Sequence, residues 1–367
     1  MLRRSAQRIR LGVAPWLAVL LLASVPAQAA SMFTTEREVT KVAEGVYVIR
    51  HQDPARGWVH GNTTVIIGAR GVFVVDSTQT ARAAREDIAQ IRQWTNKPVL
   101  YVLNTHWHTD HNGGNDEYLR TFPALTILAH RETRAMEDAY NPSAKKNRAS
   151  NVSQMRDNIN KMAQTGMSPM GKPLTAEQKA RIPERLAEAD QLDRDGEEYV
   201  YQAPTLMFDS DLTVDLGGRE VQVMHPGRGN TGGDAIVYLG KEKLLATGDL
   251  LVYPVPFTFD GYPREWVQTL DTMGRLEADT IVPGHGPILH DKSYLFQVRD
   301  LMKSVIAQVD EQFRKNDDVS LEEARKALDV SVFRSKMAGG DEVTLANFDG
   351  IIVQRFAELV YYERKAR

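Results

Sequence analysis

"THWHTDHNGG", residues 105–114, places His106, His108, Asp110 and His111 within six positions of a chain that has only nine histidines. A lone histidine is usually accounted for by packing. Four ligand-type side chains in one turn are not. The turn follows "VLYVLN" (99–104), a near-continuous apolar run of the kind that forms a strand buried on both faces. Side chains at i and i+2 of an extended segment project to the same side. His106 and His108 can therefore grip one ion, while Asp110 and His111, just past them, face a second. Imidazole nitrogen and carboxylate oxygen are donors that divalent zinc favours. Four ligands do not complete two sites, so partners are expected at other strand ends. Asp249 follows "KLLAT" in a Gly-Asp pair, and His285 stands between two glycines after "TIV". Glycine at such turns lets the backbone approach closely.

Outward from the turn, the pattern is of strands interleaved with single helices. "VYVIR" (46–50) and the pair of apolar runs in "TTVIIGARGVFVVDS" (63–77), joined at Gly68–Gly71, predict strands and a hairpin. Ala81, Ala84, Ile88 and Ile91 fall on one helical stripe. "LTILAH" (125–130) is a further strand. Residues from 131 to about 200 are polar and carry no strand signal. Val152, Met155, Ile159 and Met162 share a helical face, and Thr175 with Gln178 forms a capping box opening a charged helix towards Asp190. This stretch is a helical insertion, either a lid over the site or a solvated excursion. Strands resume in "TLMFDSDLTVDLGGREVQVMH" (205–225) and in "AIVYLGKEKLLATGDLL" (235–251), a hairpin turning at Gly240–Lys243. Trp266, Leu270, Met273 and Leu276 mark an amphipathic helix, and from Ser293 the chain is helical, with Ser320 and Glu323 capping one helix and a last one near Asn347–Arg364. Two strand groups with helices between them argue for two sheets with helices outside.

Composition bounds the function. Arg3, Arg4, Arg8 and Arg10, the apolar run Leu11–Val25 and Ala27-Gln28-Ala29 have the pattern of a cleaved export signal over residues 1–30. The apolar run is shorter than the roughly 20 residues that span a bilayer, so no membrane anchor is expected after cleavage. An exported, periplasmic or secreted, protein is implied. The absence of cysteine rules out thiolate nucleophiles, disulfides and cysteine-ligated metal. With a net charge of −3 and no basic run after the signal, nucleic acid is not an expected partner; a small-molecule substrate is. Oligomeric state has no signal in the sequence.

H-x-H-x-D-H after a buried strand, then "GNTGGDAIVYLGKEKLLATGDLL" and "IVPGHG", resembles the metallo-β-lactamase-fold superfamily of hydrolases over residues 40–295. The resemblance implies an α/β fold, a four-layer αββα sandwich, with a lactamase-like domain over 31–295 and a C-terminal helical extension over 296–367. It implies His106 and His108 on one metal, Asp110, His111 and His285 on another, and Asp249 bridging both. Asp76, ending "VFVVD", and Asp234, in "GRGNTGGD", resemble carboxylates that brace ligands from behind. The departure is Asn230, which stands where the family reads histidine in G-H-T; a neutral amide is the weaker ligand, and His225 lies five residues upstream. Zinc, as one ion or two, is the implied cofactor, and iron or manganese suits similar donors.

A dinuclear centre with a bridging carboxylate generates hydroxide at neutral pH and polarises a carbonyl or phosphoryl oxygen. Asp110 would then be catalytic as well as a ligand, orienting the nucleophile and carrying a proton to the leaving group. The expected activity is metal-dependent hydrolysis of an ester, lactone or amide-type bond. β-Lactam hydrolysis is the alternative. A non-catalytic metal-binding or oxidoreductase-accessory protein is the alternative from another class. Tyr253, Phe257, Phe259, Tyr262 and Trp266 follow Asp249 closely, and Trp58 follows the first strand. Most of these aromatics are expected in the core, with one or two left to line an apolar pocket mouth.

Overall fold

The computed structural model describes residues 37–51, 59–168, 171 and 173–367; the expected export signal and Trp58 lie outside them. Seven strands form the first sheet, in the order β1 (Arg37–Ala43), β2 (Val46–His51), β3 (Thr63–Ile67), β4 (Val72–Val75), β5 (Val99–Asn104), β6 (Thr126–His130) and β7 (Leu206–Phe208). Five form the second: β8 (Leu212–Asp215), β9 (Glu220–Met224), β10 (Ile236–Leu239), β11 (Leu244–Ala246) and β12 (Thr280–Val282), which stack in reverse order. Hairpins link β1–β4 and β8–β11 in antiparallel pairs, whereas β4 to β7, and β11 with β12, run parallel through crossovers.

The two-residue period of each strand distributes apolar side chains between layers. In β4, Phe73 and Val75 join Leu103, Leu128, Val223, Val237 and Ala246 in the core between the sheets. Val72 and Val74 turn outward onto Ala84, Ile88 and Ile91 of the helix Ala81–Trp94. In the second sheet Val237 and Val282 face the inter-sheet core, while Ile236, Leu245 and Ile281 meet Trp266, Leu270 and the helices after Ser293. The result is helix, sheet, sheet, helix, as the two strand groups predict. No described helix is long and apolar enough to cross a membrane.

Several elements differ from the expectation. A strand precedes Val46: β1 pairs with β2 although its side chains are largely half-exposed, so it lacks a clear apolar alternation. The run 205–225 is divided between the sheets, β7 closing the first and β8 and β9 opening the second. His225 falls one residue past β9. The capping box at Thr175 forms, but its helix is only Ala176–Ala180. A new helix, Ile182–Glu197, then starts with Pro183 in its first turn, where a missing N–H costs nothing. The final helical stretch begins earlier, at Glu342, and passes through a wide π turn over Asp349–Phe356 before Ala357–Lys365.

Candidate metal centre

The ligand loop is the crossover after β5, and parallel pairing on both sides leaves its C-terminal end at the edge of the sandwich. The turns after β11 and β12 end at the same edge, because those strands also pair in parallel. All six residues expected as ligands are brought together there. Asp110, His111, Asp249 and His285 direct one ligand atom each to a common point, and His106, His108 and Asp249 to a second.

In the first group, His285 Nε2 lies 3.1 Å from Asp110 Oδ2 and 3.6 Å from Asp249 Oδ1. His111 Nε2 lies 3.2 Å from His285 Nε2, 3.2 Å from Asp249 Oδ1 and 3.5 Å from Asp110 Oδ2. Donors bound tetrahedrally at roughly 2.0–2.2 Å sit about 3.3–3.6 Å from one another. In the second group, His106 Nε2 is 2.9 Å from His108 Nδ1 and 3.7 Å from Asp249 Oδ2. Asp249 thus offers one oxygen to each group.

Proton bookkeeping shows that the centre suits a cation. Thr105 Oγ1 donates to Asp76 Oδ2 (2.9 Å), so its oxygen accepts from His106 Nδ1 (3.0 Å). His111 Nδ1 donates to the same Asp76 oxygen at 2.8 Å. His106 therefore presents its Nε2 lone pair to the centre, whereas His111 Nε2 faces the carboxylates of Asp249 and Asp110. Asp249 Oδ1 is buried with no hydrogen-bond donor. Carboxylate oxygens and imidazole nitrogens crowded this closely are held together by shared protons or by a metal ion. Burial holds the imidazoles of His106 and His108 below the usual range, in the neutral form that ligates. Burial also opposes ionisation of Asp110 and Asp249, yet His111 and His285 keep both carboxyls below the ordinary value. Burial likewise disfavours the His111 cation, but Asp249, Asp110 and Asp76 outweigh it and raise that imidazole well above its usual range. The donor set fits a divalent ion.

The surroundings fix these ligands in place. Asp76, buried at a left-handed φ of 61°, also accepts from the Thr105 backbone N–H at 2.8 Å, so one carboxylate orients His111 directly and His106 through Thr105. Burial raises its carboxyl pKa even against the pull of His111. Asn62 Nδ2 donates to the carbonyls of Pro283 and Gly286, both at 2.9 Å, and pins the turn around His285 from both sides. At Gly284 a Cβ would sit 2.0 Å from Asp249 Oδ1. Gly284→Ala is therefore expected to displace Asp249 and cut bound metal by more than half, read by metal analysis after dialysis; unchanged content would mean that the turn yields without moving the carboxylate.

Asn230 is fully buried on the loop that leads into β10, and neither atom of its amide has a hydrogen-bond partner. At the next residue, the Thr231 N–H and hydroxyl donate to Asp234 at 2.8 and 2.7 Å. Asp234 thus braces the Asn230 loop and not the histidines; burial pushes its carboxyl up to about 7. His225 is committed elsewhere, stacked 4.1 Å from His130 with its Nδ1 on the Asp234 carbonyl at 2.7 Å. The aromatic residues after Asp249 also depart from expectation. Trp266 is core, but Tyr253, Phe257 and Phe259 are 41%, 37% and 43% exposed. Their segment keeps Val255 and Thr258 buried and leaves these aromatic rings outside; Tyr253 N–H donates to the His285 carbonyl at 3.1 Å, and Arg355 Nε holds the Phe259 carbonyl at 2.7 Å. Thr105, Asn62 and Gly284 carry no chemical signal of their own in the sequence beyond adjacency to the motifs.

A family model of the metallo-beta-lactamase superfamily matches residues 56–285. The chain is 23% identical over 311 residues to a metallo-beta-lactamase type 2 of Bacillus cereus, covering 80% of this chain and 94% of that protein. It is also 23% identical over 263 residues to a linear primary-alkylsulfatase of a Pseudomonas species, covering 68% of this chain but only 46% of the relative's length. Among solved structures, a metallo-beta-lactamase from Pontibacter korlensis aligns with a TM-score of 0.51 at 20% identity, over 73% of this chain and 99% of that one. An inverting sec-alkylsulfatase from Pseudomonas aligns with a TM-score of 0.60 at 17% identity, over 89% of this chain and 50% of that one. Motif order, sandwich topology and the family match agree: the chain belongs to the metallo-beta-lactamase superfamily, whose members related to it here are hydrolases.

Proposed function

We propose that this protein is an exported, zinc-dependent hydrolase acting on an ester, lactone or amide-type bond of a small molecule that carries an apolar group. The observation that carries the proposal is the convergence of six ligand side chains on two points that share Asp249. His106, His108 and Asp249 would hold one ion, and Asp110, His111, His285 and Asp249 the other. When bound, such ions supply Lewis acidity and lower the pKa of water towards neutrality. Asp110 is the more open of the two ligand carboxylates, with 16% of its side chain exposed against 3% for Asp249. It is the group placed to accept a proton from the attacking water and return it to the leaving atom. Asp76 orients the His111 ring, and Asn62 holds the backbone on both sides of His285. Export rests on the pattern of residues 1–30.

The test is turnover of a panel of p-nitrophenyl esters, lactones and a chromogenic cephalosporin before and after chelation. Activity is expected to vanish with the metal and return with zinc. Undiminished activity in metal-free protein overturns the proposal, and metal binding without any turnover favours the non-catalytic alternative. Sulfate-ester hydrolysis is a second reading, supported by the sequence similarity to a linear primary-alkylsulfatase over 68% of this chain. An alkyl sulfate therefore belongs in the panel.

Exposed aromatics support the apolar substituent. Phe257 and Phe259 pack at 4.1 Å in the segment beside His285, and Trp107 sets its edge 4.4 Å from His108 while stacking 4.9 Å from Tyr140. Exposed apolar rings beside a polar centre are candidates to meet a substrate. Replacing both Phe257 and Phe259 by alanine is expected to lower kcat/KM for an octanoyl ester about tenfold, the worth of about two buried methylenes, and to leave an acetyl ester within about twofold. Equal losses for both esters would remove these rings from the substrate path.

A further inference from the structure

The insertion between β6 and β7 touches the ligand loop through a single helical turn. Its first helix, Arg131–Tyr140, starts directly at the end of β6. Glu137, Tyr140 and Asn141 stand at i, i+3 and i+4, one face of that helix. Glu137 is fully buried, and its Oε1 accepts from Asn112 Nδ2 at 3.1 Å. Asn112 Nδ2 also donates to the Trp107 carbonyl at 2.9 Å. Asn141 Nδ2 donates to the Asn112 side-chain oxygen at 3.2 Å and to the same Trp107 carbonyl at 3.3 Å. Tyr140 stacks on the Trp107 ring. These contacts fall on Trp107, between His106 and His108, and on Asn112, next to His111.

The rest of the insertion is fastened to the same region. Arg82, in the helix after β4, makes two bonds to the Asp195 carboxylate at 3.0 and 2.8 Å. Arg148 Nη1 donates to the Gln79 carbonyl at 3.3 Å. That carbonyl lies so close to Gly113 that a Cβ there would meet it at 2.2 Å. The insertion is thus tied down on both sides of the loop, a poor arrangement for an element that swings.

We propose that the insertion is a fixed part of the metal-site scaffold, with Glu137 and Asn141 as positioning residues that clamp the loop carrying His106, His108, Asp110 and His111. This rests on the assignment of the site as a metal centre. Groups that orient ligands from outside the coordination sphere change metal affinity by about 10- to 100-fold when lost. The substitution Glu137→Gln keeps an acceptor oxygen for Asn112, while Glu137→Ala removes it. Asn141→Ala removes the second clamp without disturbing a buried carboxyl.

The experiment is zinc titration of wild type and the three variants against a chromophoric chelator, with circular dichroism recorded on each apoprotein. Wild type and Glu137→Gln are expected to bind alike. Glu137→Ala and Asn141→Ala are expected to bind zinc about 10- to 100-fold more weakly with unchanged secondary structure. Alanine variants that hold zinc as tightly as wild type overturn the clamp. Should Glu137→Ala fail to fold, Asn141→Ala alone decides between these outcomes. A wild type that binds no zinc overturns the metal centre itself, and so is distinguished from failure of the clamp.

Discussion

Asp249→Ala is expected to leave less than one equivalent of zinc on the dialysed protein and to reduce kcat/KM by roughly 10³-fold or more, the scale at which an outright electrostatic stabiliser is lost. Asp249 is the only residue common to the two ligand groups, with Oδ1 directed to the His111 and His285 nitrogens and Oδ2 to His106. Its removal takes a carboxylate from both at once, leaving Asp110 as the one anionic donor of the first group and none in the second. The remaining imidazoles of His106 and His108 would form a two-nitrogen site with no anionic partner, and burial would make a bare dication costly there. Asp249→Asn separates charge from shape: it retains an oxygen towards one group and presents an N–H₂ to the other. Loss of one equivalent in Asp249→Asn and of both in Asp249→Ala is the expected ordering by metal analysis. Retention of both ions in Asp249→Ala would mean that the carboxylate does not bridge.

The centre was legible in sequence because its chemistry is local. The four ligands of the loop fall within six residues, and Asp249 and His285 stand beside glycines at the ends of apolar runs. Strands buried on both faces, such as Val72–Val75, announce themselves by unbroken hydrophobicity. β1 does not, since its largely half-exposed side chains follow no apolar alternation and its place is set by pairing with β2. The bracing contacts were hidden for a different reason. Asn62 acts on a turn 221 residues away in the chain, and Glu137 on Asn112 across β6. Nothing in the local composition marks an asparagine or glutamate as aimed at a distant backbone. The aromatic segment after Asp249 misled for a related reason: hydrophobicity argues for burial, whereas the turn that places Asp249 at the sandwich edge also carries Phe257 and Phe259 to the surface. Asp76 was legible as a brace only through the family resemblance, and the structure supplies the physical reason: it ends a strand paired with the one that delivers the histidines.

Asn230→His is expected to convert uneven zinc binding into two comparably tight steps. In the wild type the group of Asp110, His111, Asp249 and His285 has four charged or imidazole donors, whereas His106 and His108 share only Asp249. The motif resemblance implies a further imidazole at the position of Asn230, and both atoms of its buried amide are without partners. Leaving a buried amide unsatisfied costs about 1–3 kcal/mol, so the amide stands ready for a cation, a water or a substrate atom. A neutral amide oxygen is a poorer zinc donor than imidazole. Titration of the apoprotein should therefore resolve one tight equivalent and a second at least about tenfold weaker, a gap of about 1.4 kcal/mol. In Asn230→His the weak step should tighten by a similar factor. Asp234→Ala supplies a control, because it loosens the Thr231 turn that holds Asn230 without touching a histidine; it should weaken the second step only. Two equally tight equivalents in the wild type would show that the His106 and His108 group is already complete. Asn230 would then face the substrate, and Asn230→His should change KM while leaving zinc affinity unmoved.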